Sequence, residues 1–142
     1  MSGGSPFSYA LYRVVPSVER GERMNVGVVV FSRPLRYLAA LAALDDRRLA
    51  ALWPELDPDW VRPHLDAIER VAAGDADAGP IARLDETARF HWLVSPSSTI
   101  IQPSAVHTGL CREPSEQLDR LFRLLVSAPP GSAQRSSSRS SR

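Results

Sequence analysis

The stretch from Ser98 to Cys111 reads STIIQPSAVHTGLC. It places hydroxyl, amide, imidazole and thiol side chains in one nearly uncharged span. These are the groups of nucleophilic and general acid–base chemistry. His107 could act as the general base and Ser98, Ser104 or Cys111 as the nucleophile. Glu22 or Glu113 would then orient the imidazole. No G-x-S-x-G elbow is present and no cysteine-protease signature surrounds Cys111. A His-dependent hydrolase or transferase therefore rests on residue types alone. A milder reading is an anion site. Residues 104–111 are expected to form a loop leading into a helix at Pro114, and helix starts favour negative charge. Ser98, Thr99, Ser104 and Thr108 would add hydroxyls and Arg89 a charge, but no Gly-rich phosphate loop is present. Cys111 reads as a small buried hydrophobe. His107 and Cys111 lack a second ligand pair, so no metal site and no cofactor is expected.

A second polar group lies in ERGERMNVG. Glu19, Arg20, Glu22 and Arg23 fit a solvated turn. Asn25 is harder to place, because it interrupts an apolar strand and a buried amide left unpaired costs a few kcal/mol. Either it pins a neighbouring segment or it faces a ligand. Strict alternation puts Asn25, Gly27, Val29 and Phe31 on one face and Met24, Val26, Val28 and Val30 on the other. Gly27 inside the strand signals a bulge or a close backbone approach. The two polar groups together define one expected binding site: Glu22 and Asn25 beside Ser98, Thr99, Gln102, Ser104 and His107.

Several elements must position these residues. Residues 8–15 and 23–31 read as strands joined by a looped hairpin. Residues 36–43 read as a third strand. Asp45 and Asp46 look like caps for a helix at RRLAALW. Asp57 caps a longer helix with Pro58 in its first turn and Val61, Leu65, Ile68 and Val71/Ala72 on one stripe. His64 falls in that helix. RFHWLV (89–94) reads as a buried strand containing His91, and TIIQ (99–102) as another. Pro114 opens the last helix, with Leu118, Leu121, Phe122 and Leu125 on its stripe. Trp53, Trp60 and Trp92 read as packing residues. The expected fold is α+β: a mostly antiparallel sheet of four to five strands with about three helices. Residues 1–7 are expected to be a flexible N-terminus, 8–127 a single domain, and 128–142 a disordered Ser/Arg-rich tail.

Composition narrows the classes. The chain has 142 residues and a net charge of +1. Arg135, Arg139 and Arg142 lie in the tail, so the body alone stands at −2. That argues against nucleic acid as a partner of the folded part, leaving only weak contact through the tail. No apolar run approaches the ~20 residues of a membrane span, and no leader pattern opens the chain. A single cysteine forbids an intrachain disulfide. A cytoplasmic location is expected. An uncovered strand edge would invite a homodimer.

The blocks YALYRVVPSVERGERMNVGVVVF and RFHWLVSPSSTIIQPSAVHTGLCREP also resemble a known family. The matching features are Glu22, Asn25 and Gly27 in the first block, and Ser98-Thr99, Gln102, Ser104 and His107-x-Gly109 in the second. The family is an uncharacterised bacterial one, catalogued as domain of unknown function 3037, and the resemblance runs from about Tyr9 to Leu125. It implies no catalytic residues. Members tend to be encoded beside proteins resembling HipA-type kinases, so it implies a protein partner of that kind. Three readings are carried forward. The first is a binding or regulatory module acting with a protein partner, which needs an exposed apolar patch beside the polar site. The second is a small-ligand or nucleotide-binding domain with Arg13, Asn25, Gln102 and His107 in one pocket. The third is the His107-dependent enzyme.

Overall fold

A computed structural model describes residues 4–16, 22–96 and 100–127. The expected disordered tail and the tip of the first hairpin, with Glu19 and Arg20, lie outside these residues. So do Ser98 and Thr99. Within them the chain folds as α+β, with a five-stranded antiparallel sheet and four α-helices, one more helix than the sequence suggested. The strands are β1 (Ser5–Val14), β2 (Met24–Ser32), β3 (Tyr37–Ala42), β4 (Ile101–Pro103) and β5 (His107–Cys111). The helices are α1 (Asp46–Leu52), α2 (Pro58–Ala73), α3 (Glu86–Leu93) and α4 (Pro114–Phe122). The sheet order is β3-β2-β1-β4, and β5 also pairs with β1. Thus β4 and β5 are consecutive pieces of one edge, β4 beside residues 12–14 of β1 and β5 beside residues 5–9. Ser5, Pro6 and Phe7, expected to be flexible, are paired strand residues.

Two cores flank the sheet. On one face Ala10, Tyr12, Val14, Val29 and Phe31 pack with Leu49, Trp53, Val61, Leu65, Phe90 and Leu93 of the helical side. On the other, Phe7, Leu11, Val28, Val30 and Cys111 meet Leu118 and Leu121 of α4. Burying each of those leucines stabilises the fold by roughly 1.5–3 kcal/mol. The apolar spacing of α2 matches its expected stripe, with Val61, Leu65, Val71 and Ala72 buried. The Oδ1 of Asp57 accepts from the N–H of Asp59 to cap its start. Its end is capped in two ways. Gly74 turns left-handed at φ 74°. The Arg89 guanidinium donates to the carbonyls of Val71 and Ala72. A Cβ on Gly74 would lie 2.9 Å from that guanidinium. Arg89 is therefore a helix cap and supplies no charge to an anion site.

Three expectations are corrected. Residues 89–94 are not a buried strand, because α3 occupies Glu86–Leu93. The Asp85 side chain caps it by accepting from the N–H of Ala88. Arg89, Phe90 and Leu93 turn inward at helical spacing. His91 and Trp92 consequently face solvent, as do His64 and Trp60, while Trp53 is a core residue. Residues 107–111 are a strand and not a loop. Gly109 makes no turn; it lies opposite Phe7, whose ring would be 2.9 Å from a Cβ added there. Finally, β2 does not alternate strictly. Its register on β1 shifts between Tyr12, opposite Gly27, and Arg13, opposite Asn25, so Val26 is an extra residue. This bulge puts Met24 and Val26 on the same face as Val29 and Phe31. It leaves Asn25 on the α4 face, with Val28 and Val30.

Candidate functional site

The bulge has a direct consequence for polar residues. Arg13 stands opposite Asn25 on β2 and opposite Gln102 on β4, so the three form a row across the sheet. The Nε of Arg13 donates to Oδ1 of Asn25 at 3.3 Å. Nδ2 of Asn25 donates in turn to the carbonyl of Leu125 at 3.0 Å, just beyond α4. Both ends of the amide are satisfied. Asn25 therefore orients Arg13 and ties the α4 extension (Arg123–Ser127) to the sheet.

Arg13 is half-buried and has no ion pair among the described residues. Burial, and then the like charge of Arg23, push its guanidinium below the ordinary arginine range. The opposite holds for Arg70, where the hydrogen bond and charge of Asp75 push the pKa up. Arg13 is thus a partly desolvated cation with no carboxylate paired to it among the described residues. Leu125, whose carbonyl accepts from Asn25, is 38% exposed, and Leu124 before it is 60% exposed.

The other expected site residues distribute as follows. Glu22 accepts from the indole Nε1 of Trp53 at 3.2 Å, on the helical face of the sheet and away from Asn25. Ser104 is a ladder residue. Its N–H donates to the carbonyl of Leu11, its Oγ accepts from the N–H of Leu11, and its hydroxyl donates to the carbonyl of Ala105. His107 is exposed and pairs with Tyr9, the two rings 5.1 Å apart. It shares the α4 face with Arg13, four residues further along β1, or about 13 Å. Among the described residues no carboxylate or hydroxyl partners its imidazole. Cys111 is buried beneath α4, and burial followed by the charge of Glu113 raises its thiol. No group of three potential metal ligands occurs among the described residues.

A cavity of about 490 Å³ lies on the helical face of the sheet, bounded by Tyr12, Ala67, Ile68, Trp92, Leu93 and Ile101. It is mostly apolar, and within its wall Tyr12 donates its hydroxyl to the carbonyl of Leu93 at 2.8 Å. Arg13, Asn25, Gln102 and His107 do not line it. Gln102 borders a separate hollow with Ser104 and Val106, and Asn25 another with Arg48 and Val126.

Residues 9–126 match the family described as Protein of unknown function (DUF3037). The chain belongs to this family. The match begins in β1 and ends past α4, so the family unit includes every strand that builds the Arg13 row. No curated protein and no solved structure matches the chain. Membership therefore fixes the unit and leaves its activity to be argued from the residues. Arg13 lay in the expected pocket set but outside the expected binding-site group. The signal for it was its position facing Asn25 in the hairpin, hidden by the bulge.

Proposed function

We propose that this family member is a binding or regulatory module that acts by docking a protein partner on its α4 face. The observation that supports this reading is the half-buried Arg13, held by Asn25 and lacking an ion pair among the described residues, with the same Asn25 tied to the carbonyl of Leu125 in a segment that exposes Leu124 and Leu125. An oriented guanidinium in a partly desolvated setting suits a carboxylate bidentately. The leucines offer the apolar anchor that binding surfaces place beside such a charge. The partner segment would thus carry an acidic residue next to apolar ones. A HipA-type kinase is the first partner to examine, on the resemblance alone. The pocket reading keeps the apolar cavity as support, but that cavity lies on the other face from the polar row.

The test is a native mass spectrum of the tagged full chain, drawn gently from its own host cells. A stable additional protein mass is expected. It should be lost in Arg13→Glu, since removing a charged hydrogen bond of roughly 1.5–3 kcal/mol weakens binding at least about tenfold. A bare wild-type chain, or a complex indifferent to Arg13→Glu, would overturn the reading.

A further inference from the structure

The two edges of the sheet are treated differently. At the β3 edge, Glu69 of α2 reaches over and accepts the N–H of Ala42 at 2.8 Å. Helices also pack β3 on both faces. The β5 edge has none of these protections among the described residues. It carries no charge, since no Asp, Glu, Lys or Arg occurs between Arg89 and Arg112. Natural sheets usually blunt such an edge with charge, proline or a covering segment.

Its backbone polarity follows from the ladder. The amide of Leu11 and the carbonyl of Leu11 both turn toward Ser104, and the amide of Val15 donates to the carbonyl of Ile100. Odd-numbered residues of β1 therefore point their polar groups at the β4–β5 edge. Their partners His107, Gly109 and Cys111 return the bonds. Thr108 and Leu110 are left with N–H and C=O directed outward. Their side chains stand on the helical face, where Leu110 is 63% exposed and neighbouring Val106 42%.

We propose that β5 pairs antiparallel with β5 of a second copy of this chain, about a two-fold axis at Gly109. The occupant is argued from self-complementarity. A two-fold contact sets each strand against itself, and an uncharged strand does this without like-charge repulsion. Thr108 of each copy then faces Leu110 of the other, exchanging both backbone bonds. Gly109 faces Gly109 at the close, non-bonded position, where two strands approach most nearly. The sheets of the two copies become one continuous sheet, and the exposed Leu110 side chains gain cross-strand cover. A five-residue edge supplies only part of the ~800 Å² per partner of a standard interface. The dimer is therefore weak, with dissociation in the micromolar range. It uses the sheet edge, whereas the partner surface uses Arg13 and the leucines beyond α4, so the two ideas stand or fall separately.

The experiment is sedimentation equilibrium of the full chain over a concentration series. The wild type should pass from monomer to dimer. Leu110→Lys alters an exposed side chain, so the fold is retained, as circular dichroism would verify, and the edge becomes charged. It should weaken the dimer at least tenfold. The pair Thr108→Glu with Leu110→Lys sets opposite charges across the two-fold and should restore association. Thr108→Lys with Leu110→Lys should abolish it. A wild type that stays monomeric throughout would overturn the proposal and leave the edge to a strand of another protein. A dimer that Leu110→Lys does not disturb would overturn it too.

Discussion

Asn25 shows how one side chain can be both structural and functional. Its oxygen holds Arg13 and its amide nitrogen holds the carbonyl of Leu125. Asn25→Ala removes both bonds. We expect a stability loss of roughly 1–2 kcal/mol, from two net contributions near 1 kcal/mol each, read as a lower urea midpoint with an unchanged slope. Asn25→Asp would keep the Arg13 contact but set a carboxylate against the Leu125 carbonyl, so it should destabilise also. Had Asn25 been a solvated residue, either change would be neutral. The sequence flagged this residue correctly as one needing partners. It misassigned the side chain's face, because alternation is blind to a bulge.

At the scale of elements, an expected strand is the helix α3 and part of an expected loop is the strand β5, and each difference has a physical cause. The aromatic run RFHWLV has strand propensity, yet the Asp85 cap and the inward spacing of Phe90 and Leu93 make it a helix. Tertiary packing overrides propensity here, since the Phe90 ring stacks on Phe31 of β2 at 4.7 Å. The α3 cap can be tested. Asp85→Ala should cost about 1 kcal/mol, and Asp85→Ser should recover most of it. Equal losses in the two variants would show that the cap is not what holds α3. In β5, Gly109 was mistaken for a turn residue because glycine in sequence does not distinguish a turn from a close approach. The Phe7 ring decides the matter, and it lies far away in the chain.

For the molecule as a whole, the two-sided sheet makes stability sensitive to alkali. Burial raises Tyr12 well above its ordinary value of 10.0. Burial, with Glu113, raises Cys111 as well. Both groups are favoured in their neutral form by the fold. Their contribution is complete below the unfolded values of about 8.5 for Cys and 10 for Tyr, and is lost as pH rises above them. Urea midpoints should therefore fall from about pH 8.5 upward. Tyr12→Phe should cost about 1 kcal/mol at neutral pH, through the unmet Leu93 carbonyl, and flatten the decline above about pH 10. A variant that declines in parallel with the wild type would remove Tyr12 from this account.

The amino-acid sequence by itself determined the class of fold, the first three strands, the capped helices α1 and α2, the start of α4, and the need of Asn25 for partners. These follow from local signals: period, caps and proline position. No helix among the described residues is long and apolar enough to cross a membrane, in keeping with the short apolar runs. Only the tertiary structure decided that Asn25 meets Arg13, that Glu22 turns away to Trp53, and that His107 begins an edge strand. Each depends on register between segments distant in the chain. A single extra residue in β2 reverses which face a side chain serves.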